Sequence, residues 1–442
     1  MPCIVVWGGY LLAFWPALLG NDELGEWAAV LRSELTNSIP AFHALMLWLV
    51  TRVWQSPAAV VVAQIVACAA VFASVVTELD AWGVPPWVRR LCVAISAGSL
   101  VNGMMLVTIG RDVAYAIANL ALFSVLLRLV RTEGSWLLAR RRQAILWLVL
   151  TCVSLFRHNG VIAAAAILVL ISVAWRGPVA RPARRVGLAW VMTYCVITLP
   201  VYRLLAVGAI EPRVRMQYAL HQIAALVSHD VPLADDERAL LESIEPIDKW
   251  RAHYSCYSVD PLIWGEDFSA AALEGKAENI ARLWLRLLRA YPQAVLRHQL
   301  CASSFVWRIR EPHSTRLFTV PLGRYLGERA GAVRPFGIEG SRWPWLADTL
   351  VRCFRWSVES KRIWWVWRPA VYLYLTLLCG VATAVRLGNP RVLMLAAPSV
   401  INSLVWLVFG MAQHFRYQFP VYMIALILPV VMASKPPATA QG

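Results

Sequence analysis

The stretch PAFHALMLWLVTRVW, residues 40–54, decides how every later segment of the chain is oriented. It is apolar enough to read as a membrane span. At fifteen residues, with His43 and Arg52 inside it, it falls short of the roughly 20 apolar residues that a spanning helix needs. If it crossed, Arg128, Arg131 and the triplet Arg140-Arg141-Arg142 would lie on the outer side, together with Arg176, Arg181, Arg184 and Arg185. Short arginine-rich loops stay cytoplasmic. Reading residues 40–54 as an interfacial helix keeps all of these inside, along with Arg89, Arg90, Arg386, Arg391 and Lys435. That bias decides for the interfacial reading.

Composition sets the class. Of 442 residues, 59% are hydrophobic and only 15% are charged, and mean hydropathy is +0.57. A soluble domain is less apolar and more charged. The expected fold class is therefore all-α: a polytopic transmembrane helical bundle with outward-facing interfacial helices. Its spans fall at about 2–19, 58–78, 91–109, 113–130, 143–156, 160–175, 186–207, 363–385, 391–410 and 418–433, ten in number. The first reads as a retained anchor, since no small-residue cleavage site lies near Gly20.

This divides the chain into four parts. Residues 1–207 form an N-terminal module of seven spans, whose outer loop 20–57 carries the surface helix. Residues 208–362 form an extracytoplasmic, interfacial helical region. Residues 363–434 form a C-terminal transmembrane module, and 435–442 a cytoplasmic tail. The net charge of +16 lies largely in short loops between spans, which accounts for it without nucleic acid. Twenty-two tryptophans suit an interfacial belt. Within 208–362, residues 234–245 have an acidic first turn suited to a short helix. Residues 277–309 interleave apolar side chains with Arg282, Arg286, Arg289, Arg297 and Arg308, the pattern of one or two helices lying on the membrane surface. Six tryptophans between Trp343 and Trp367 mark the approach to the next span. Nine cysteines show no metal-like spacing. Six lie in spans, while Cys256, Cys301 and Cys353 lie in the outer region, able to pair or to stay free.

Four charged clusters then share the outer side: Asn21-Asp22-Glu23, Gly110-Arg111-Asp112, Arg157-His158-Asn159-Gly160 and His414-Phe415-Arg416-Tyr417. Ionisable groups at membrane depth are expensive and mark function by default. Each cluster also has a plainer reading. Asn21 or Asp22 could cap a helix, as could Asp112. Arg111 could snorkel, Asn159-Gly160 could form a tight turn, and Arg416 with Tyr417 could anchor the interface. In the functional reading Asp22 is a general base toward an acceptor hydroxyl. Arginines with His158 nearby make a phosphate cradle. Glu311-Pro312-His313 carries no comparable signal. There is no Walker A, GxGxxG, HExxH or nucleophile elbow, which argues against a nucleotide-driven pump, a zinc protease and a serine hydrolase.

Taken together, the outward Asn21-Asp22-Glu23, the Pro40/His43 surface helix, the Arg111-Asp112 pair and the C-terminal Arg416-Tyr417-x-x-Pro420 resemble the GT-C superfamily of polyprenyl-phosphate-sugar-dependent membrane glycosyltransferases. Within or near that superfamily the chain looks like an uncharacterised bacterial multi-spanning group, in which the Arg157-His158-Asn159-Gly160 turn and a Tyr254…Asp260-Pro261 stretch recur. The resemblance implies Asp22 as catalytic base, Glu23 as its neighbouring candidate, and Asp112 as a second acidic contact to donor, acceptor or a divalent cation. Arg111, Arg157, His158, Asn159, His414, Arg416, Tyr417 and His43 would hold the lipid phosphate and donor.

The implied activity is inverting transfer of a sugar from a polyprenyl-phosphate donor to a glycan, lipid or protein, on the outer face of the bacterial cytoplasmic membrane. No cofactor beyond that cation is called for. The partners are the lipid-linked sugar, its acceptor and membrane lipids. The outer region departs from the pattern in lacking a recognisable acceptor-binding module. Two rival readings stand beside this one: a polymerase of lipid-linked polysaccharide repeats, and a non-enzymatic transporter or flippase of an anionic lipid or glycan.

Overall fold

The structure, a computed structural model, describes residues 2–310 and 340–434. Glu311-Pro312-His313, Lys435 and the tail 435–442 lie outside the described residues. Every named element among those described is helical, with three isolated bridge pairs besides.

The first expected span, 2–19, is shorter than anticipated. Helix α1 (Pro2–Ala13) stops before Pro16, whose ring cannot continue a helix. Two short helices follow, α2 (Asn21–Arg32) and α3 (Ala41–Val53). The thirteen residues of α3 reach only about 20 Å. Next come α4 (Pro57–Ala81), α5 (Pro86–Gly98), α6 (Leu100–Leu106) and α7 (Arg111–Arg131). The expected span 91–109 is thus two helices, broken where the Ser99 hydroxyl caps α6 by accepting from Asn102 N at 3.1 Å. The module ends with α8 (Arg140–Phe156), α9 (Gly160–Ala174) and α10 (Ala180–Val196).

The outer region contributes α11 (Pro212–Ser228), α12 (Ala277–Ala290) and α13 (Pro292–Ala302). It also holds α14 (Pro344–Ser357), and after it come α15 (Pro369–Leu387), α16 (Ala397–Phe409) and α17 (Phe419–Val431). Among the described residues five helical stretches are long and apolar enough to cross a membrane: α4, α7, Gly177–Leu204 around α10, α15, and Pro390–Phe409 ending in α16. Helices α1, α3 and α9 and the stretch Phe415–Val431 are apolar but shorter.

Helix α7 is the axis of the bundle. Leu120, Leu122, Phe123, Leu126, Leu127 and Leu129 have no exposed surface, and α7 packs against α4, α8 and α17. The stretch containing α10 is its opposite, with Leu188, Val191, Met192, Val196 and Leu199 exposed. An apolar helix that keeps an apolar outer side is built for lipid rather than water. Elsewhere α1 and α6 touch closely. A Cβ on Gly103 would fall 2.3 Å from the Tyr10 ring, so the side chain there must be absent.

The two ends of α7, about 30 Å apart, have different chemistry. At its C-terminal end Arg128 and Arg131 hold Glu78 of α4 at 2.8 and 3.1 Å. There too Arg391 pairs with Glu133 and donates through Nε to the carbonyl of Ala174, at the end of α9, at 3.2 Å. The start of α7 carries the candidate site.

The outer region has its own core, which includes Leu220, Ile223, Trp250, Leu262, Ile280 and Leu287. This corrects one expectation. Within 277–309, read as lying on the membrane, the α12 part is buried instead: Ile280, Leu283 and Leu287 pack within this core, whereas Leu296, Leu300, Trp307 and Ile309 stay exposed. An amphipathic stripe fits either a membrane or a neighbouring helix, and here a helix takes it. The run is also broken at Pro292, where α13 begins. Cys256 and Cys301 form a disulfide, and Cys353 is free.

Gly160 opens α9 directly against the last turns of α8. A Cβ there would lie 1.9 Å from the carbonyl oxygen of Val153. We expect Gly160→Ala to destabilise the protein by about 1–3 kcal/mol through overpacking, despite alanine's better helix propensity. Gly8→Ala in α1, with nothing within 4 Å, is expected to be neutral or stabilising by up to about 1 kcal/mol. Melting curves of the two variants in detergent check the pair, and equal melting would contradict the steric account.

Candidate functional site

Four helices start beside the expected clusters: α2 after Gly20, α7 after Gly110, α9 after Asn159, and α17 after the 3-10 turn Phe415–Gln418. A helix start presents unpaired N–H groups and the positive end of the helix dipole, which suits anions. The capping expectation for α2 is corrected. Gly20 is the N-cap, and Glu23 reaches back so that its Oε2 accepts from Gly20 N at 2.9 Å. Asn21 is exposed and the Asp22 carboxylate is left to other partners. In α7 the cap is Gly110, and Asp112 likewise makes no capping bond.

Those carboxylates meet one guanidinium. Arg416 donates through Nη2 to Asp22 Oδ2 at 2.7 Å and through Nη1 to Glu23 Oε1 at 2.9 Å. Its Nε lies 3.4 Å from Asp112 Oδ2. Asp112 is buried and also takes Nη1 of Arg157. Arg157 is held from every side. Its Nε donates to Asn159 Oδ1 at 3.2 Å. Its guanidinium carbon sits 4.7 Å from the Tyr417 ring, 5.3 Å from Trp406 and 5.7 Å from Tyr115. Trp406 and Tyr417 stack at 4.2 Å, and Asn402 accepts from the Tyr115 hydroxyl at 3.3 Å while donating to the Tyr417 carbonyl at 3.0 Å. Cation–π contacts of this kind are strongest away from water.

Arg111 is the least committed cation. Among the described residues its ion pair is with Asp22 Oδ2, at 3.5 Å. Asp22, 42% exposed, is the accessible carboxylate, whereas Glu23 and Asp112 are buried. The remaining expected residues surround this group. His158 is exposed beside the backbone of Asn37. His414 leans on Tyr417, and its Nε2 lies 3.8 Å from Asp260 Oδ2. His43 stands apart: it is buried with its Nδ1 bonded to Glu26 Oε1 at 2.8 Å, one turn along α2 from Asp22. That contact ties α3 to α2.

Asp260 is brought to the site by the outer region. Val259 N donates to Met411 O and Gln413 N to Tyr257 O, both at 2.9 Å, pinning 257–260 to the loop before Arg416. Tyr115, Trp406 and Asn402 are further site residues, and in the sequence they read as ordinary span residues.

The charges polarise the two neighbouring carboxyls in opposite directions. Burial pushes Asp22 up, but the guanidiniums of Arg416 and Arg111 outweigh it and hold Asp22 at about 2. Burial raises Glu23, against the pull of Arg416 and with the push of Asp22's charge. Such a split is how one site keeps an ionised and a protonatable carboxyl side by side. Burial lowers His414, a hydrogen bond to Asp260 working the other way. Burial, then Arg111, lowers His158. Asp112 has both oxygens facing guanidiniums, so a divalent cation there would have to compete with Arg157 or Arg416. Among the described residues no group of three or more His, Cys, Asp or Glu side chains is placed to hold a metal ion.

No family model matches this sequence, and no match was found among the curated proteins or the solved structures.

Removing Arg416 leaves Glu23 and Asp112 buried without their bridge, and we expect Arg416→Ala to cost about 3–5 kcal/mol. Asp22→Asn, at an accessible carboxylate, is expected to cost about 1 kcal/mol or less. Because Asp22 is lowered in the folded state, its ion pairs stabilise the protein above the ordinary carboxylate range and are lost as pH falls toward 2. The melting difference between wild type and Asp22→Asn should therefore be flat from about pH 8 to about pH 5 and vanish on further acidification. A difference that grew with acidification would contradict this assignment.

Proposed function

We propose that the chain is an integral membrane glycosyltransferase of the GT-C type, with a polyprenyl-phosphate-linked sugar as donor and a hydroxyl on a glycan, lipid or protein as acceptor. The observation that supports this reading best is the meeting of Asp22, Glu23 and Asp112 with Arg111, Arg157 and Arg416 at helix starts. A phosphate leaving group needs preorganised cations, and an attacking hydroxyl needs a carboxylate.

In this reading the bundle has ten spans, with α1, the broken pair α5–α6, α8, α9 and α17 crossing as well as the five longer helices. The site faces outward from a bacterial cytoplasmic membrane, because the arginines at the other end of α7 belong inside. The Cys256–Cys301 disulfide favours an oxidising compartment for the outer region.

The acceptor oxygen attacks the anomeric carbon as the bond from that carbon to the phosphate oxygen breaks, inverting the centre. The electron pair leaves on the phosphate, facing Arg111 and Arg416, and the acceptor proton passes to Asp22. In the free protein Asp22 is too strongly paired to be a good base. A lipid phosphate competing for Arg111 would loosen that pairing and raise its proton affinity as the donor binds. Arg157, committed to Asp112 and three rings, positions the site.

Purified protein and a synthetic polyprenyl-phosphate hexose test the reading. Asp22→Asn should still bind the lipid yet release phosphate on the order of 10²–10⁴-fold more slowly. Arg111→Ala should weaken binding. Release undiminished in Asp22→Asn removes it as the base, and failure of every prenyl phosphate to bind ends the glycosyltransferase reading.

A further inference from the structure

At the other end of the bundle the arginines outrun their partners. From residue 134 to residue 210 the chain contains nine arginines and no aspartate or glutamate. Arg157 is matched by Asp112. Arg176, Arg181, Arg184 and Arg185, where α9 ends and α10 begins, are all exposed. No ion pair involves any of them among the described residues. Glu133, the acid near the end of α9, is occupied by Arg391. The first turn of α10 has no acid either, so its N-terminal partial charges add to the excess.

This excess sits beside a shallow, open groove. Helices α9 and α10 line a groove of about 430 Å³, with Leu168, Val169, Val173, Gly187 and Leu188 along it and Arg176 and Arg184 where both helices reach that end of the bundle. Leu168 and Ser172 lie one turn apart on α9, Arg176 follows just past its end, and Leu188, Arg184 and Arg181 share one face of α10. A Cβ on Gly187 would rest 3.7 Å from Leu168, so the helices come close at the floor. Val169, Val173 and Leu188 are 61%, 60% and 64% exposed, so the groove opens sideways, where acyl chains lie in a bilayer.

We propose that this groove seats an anionic phospholipid of the surrounding bilayer, its phosphate between Arg176 and Arg184 and an acyl chain along the stripe running from Val173 to Leu168. The charge complementarity selects the occupant. An apolar groove alone would take any lipid, whereas unmatched guanidiniums above it favour a phosphate with net negative charge. A zwitterionic lipid would bring a cation of its own to the same place. The site rests on the bundle's membrane setting and not on glycosyl transfer, so it stands or falls separately from the activity.

The test uses the full-length protein in phosphatidylcholine nanodiscs doped with phosphatidylglycerol, with retained lipid counted by native mass spectrometry. Phosphatidylglycerol should be retained in preference to phosphatidylcholine. The double variant Arg176→Ala/Arg184→Ala should weaken that retention roughly 25-fold with no change in melting temperature. Arg140→Ala/Arg141→Ala, which removes two equally exposed arginines elsewhere, should leave it intact. Equal retention of the two lipids, or unchanged phosphatidylglycerol in the double variant, overturns the proposal. So does displacement by inorganic phosphate alone, or a dimer that buries the groove.

Discussion

The site depends on the Arg416 guanidinium, which reaches Asp22, Glu23 and Asp112 at once. A buried carboxylate without a counter-charge is too costly to keep. Two buried ones on different helices therefore require a cation between them, and a planar fork with several donors is the side chain that can bridge them. This requirement fastens the start of α2, the start of α7 and the turn before α17 into one place, across almost the full length of the chain. Arg157 and Asp112 extend the same logic to the turn between α8 and α9. The ionic cluster organises this end of the bundle, while the leucine-rich body of α7 organises its middle.

The cluster is balanced but not rigid throughout. Arg157 is clamped by three aromatic rings and Asn159, and Glu23 spends one oxygen on the α2 cap. The Arg111–Asp22 pair is the looser one, at 3.5 Å, although Asp22, the accessible carboxylate, is also held by Arg416 at 2.7 Å. An incoming anion would meet these two first. The chemistry proposed for the site uses that difference: the tightly held members hold geometry, and the looser ones change partners.

How much of this could be read from the chain varies by residue. The four clusters stand out because charge is rare in apolar runs, and positive-inside reasoning over residues 40–54 puts them on one side before any contact is known. Their pairing could not be read, since Asp22 and Arg416 are nearly four hundred residues apart and each has a plausible local role. The cap of α2 is instructive: Asn21 and Asp22 are both good cap residues, yet Gly20 takes the position because Glu23 can reach back to it. Tyr115 and Trp406 gave no signal, because a buried aromatic in a span looks like filler until a guanidinium is seen beside it, and the lone amide of Asn402 says nothing of its partners. The amphipathic stripe of α12 was visible, but a stripe does not say whether a bilayer or a helix covers it. Among Cys256, Cys301 and Cys353, only the fold brings two of the three together.

The proposed chemistry requires the site to face the aqueous side opposite the arginine-rich loops. The most direct measurement is a pair of topology reporters, one fused after Arg141 and one after Asp236 in the outer region. The proposed topology gives a cytoplasmic signal at Arg141 and an external one at Asp236. An external signal at Arg141, or the same side for both, would contradict it.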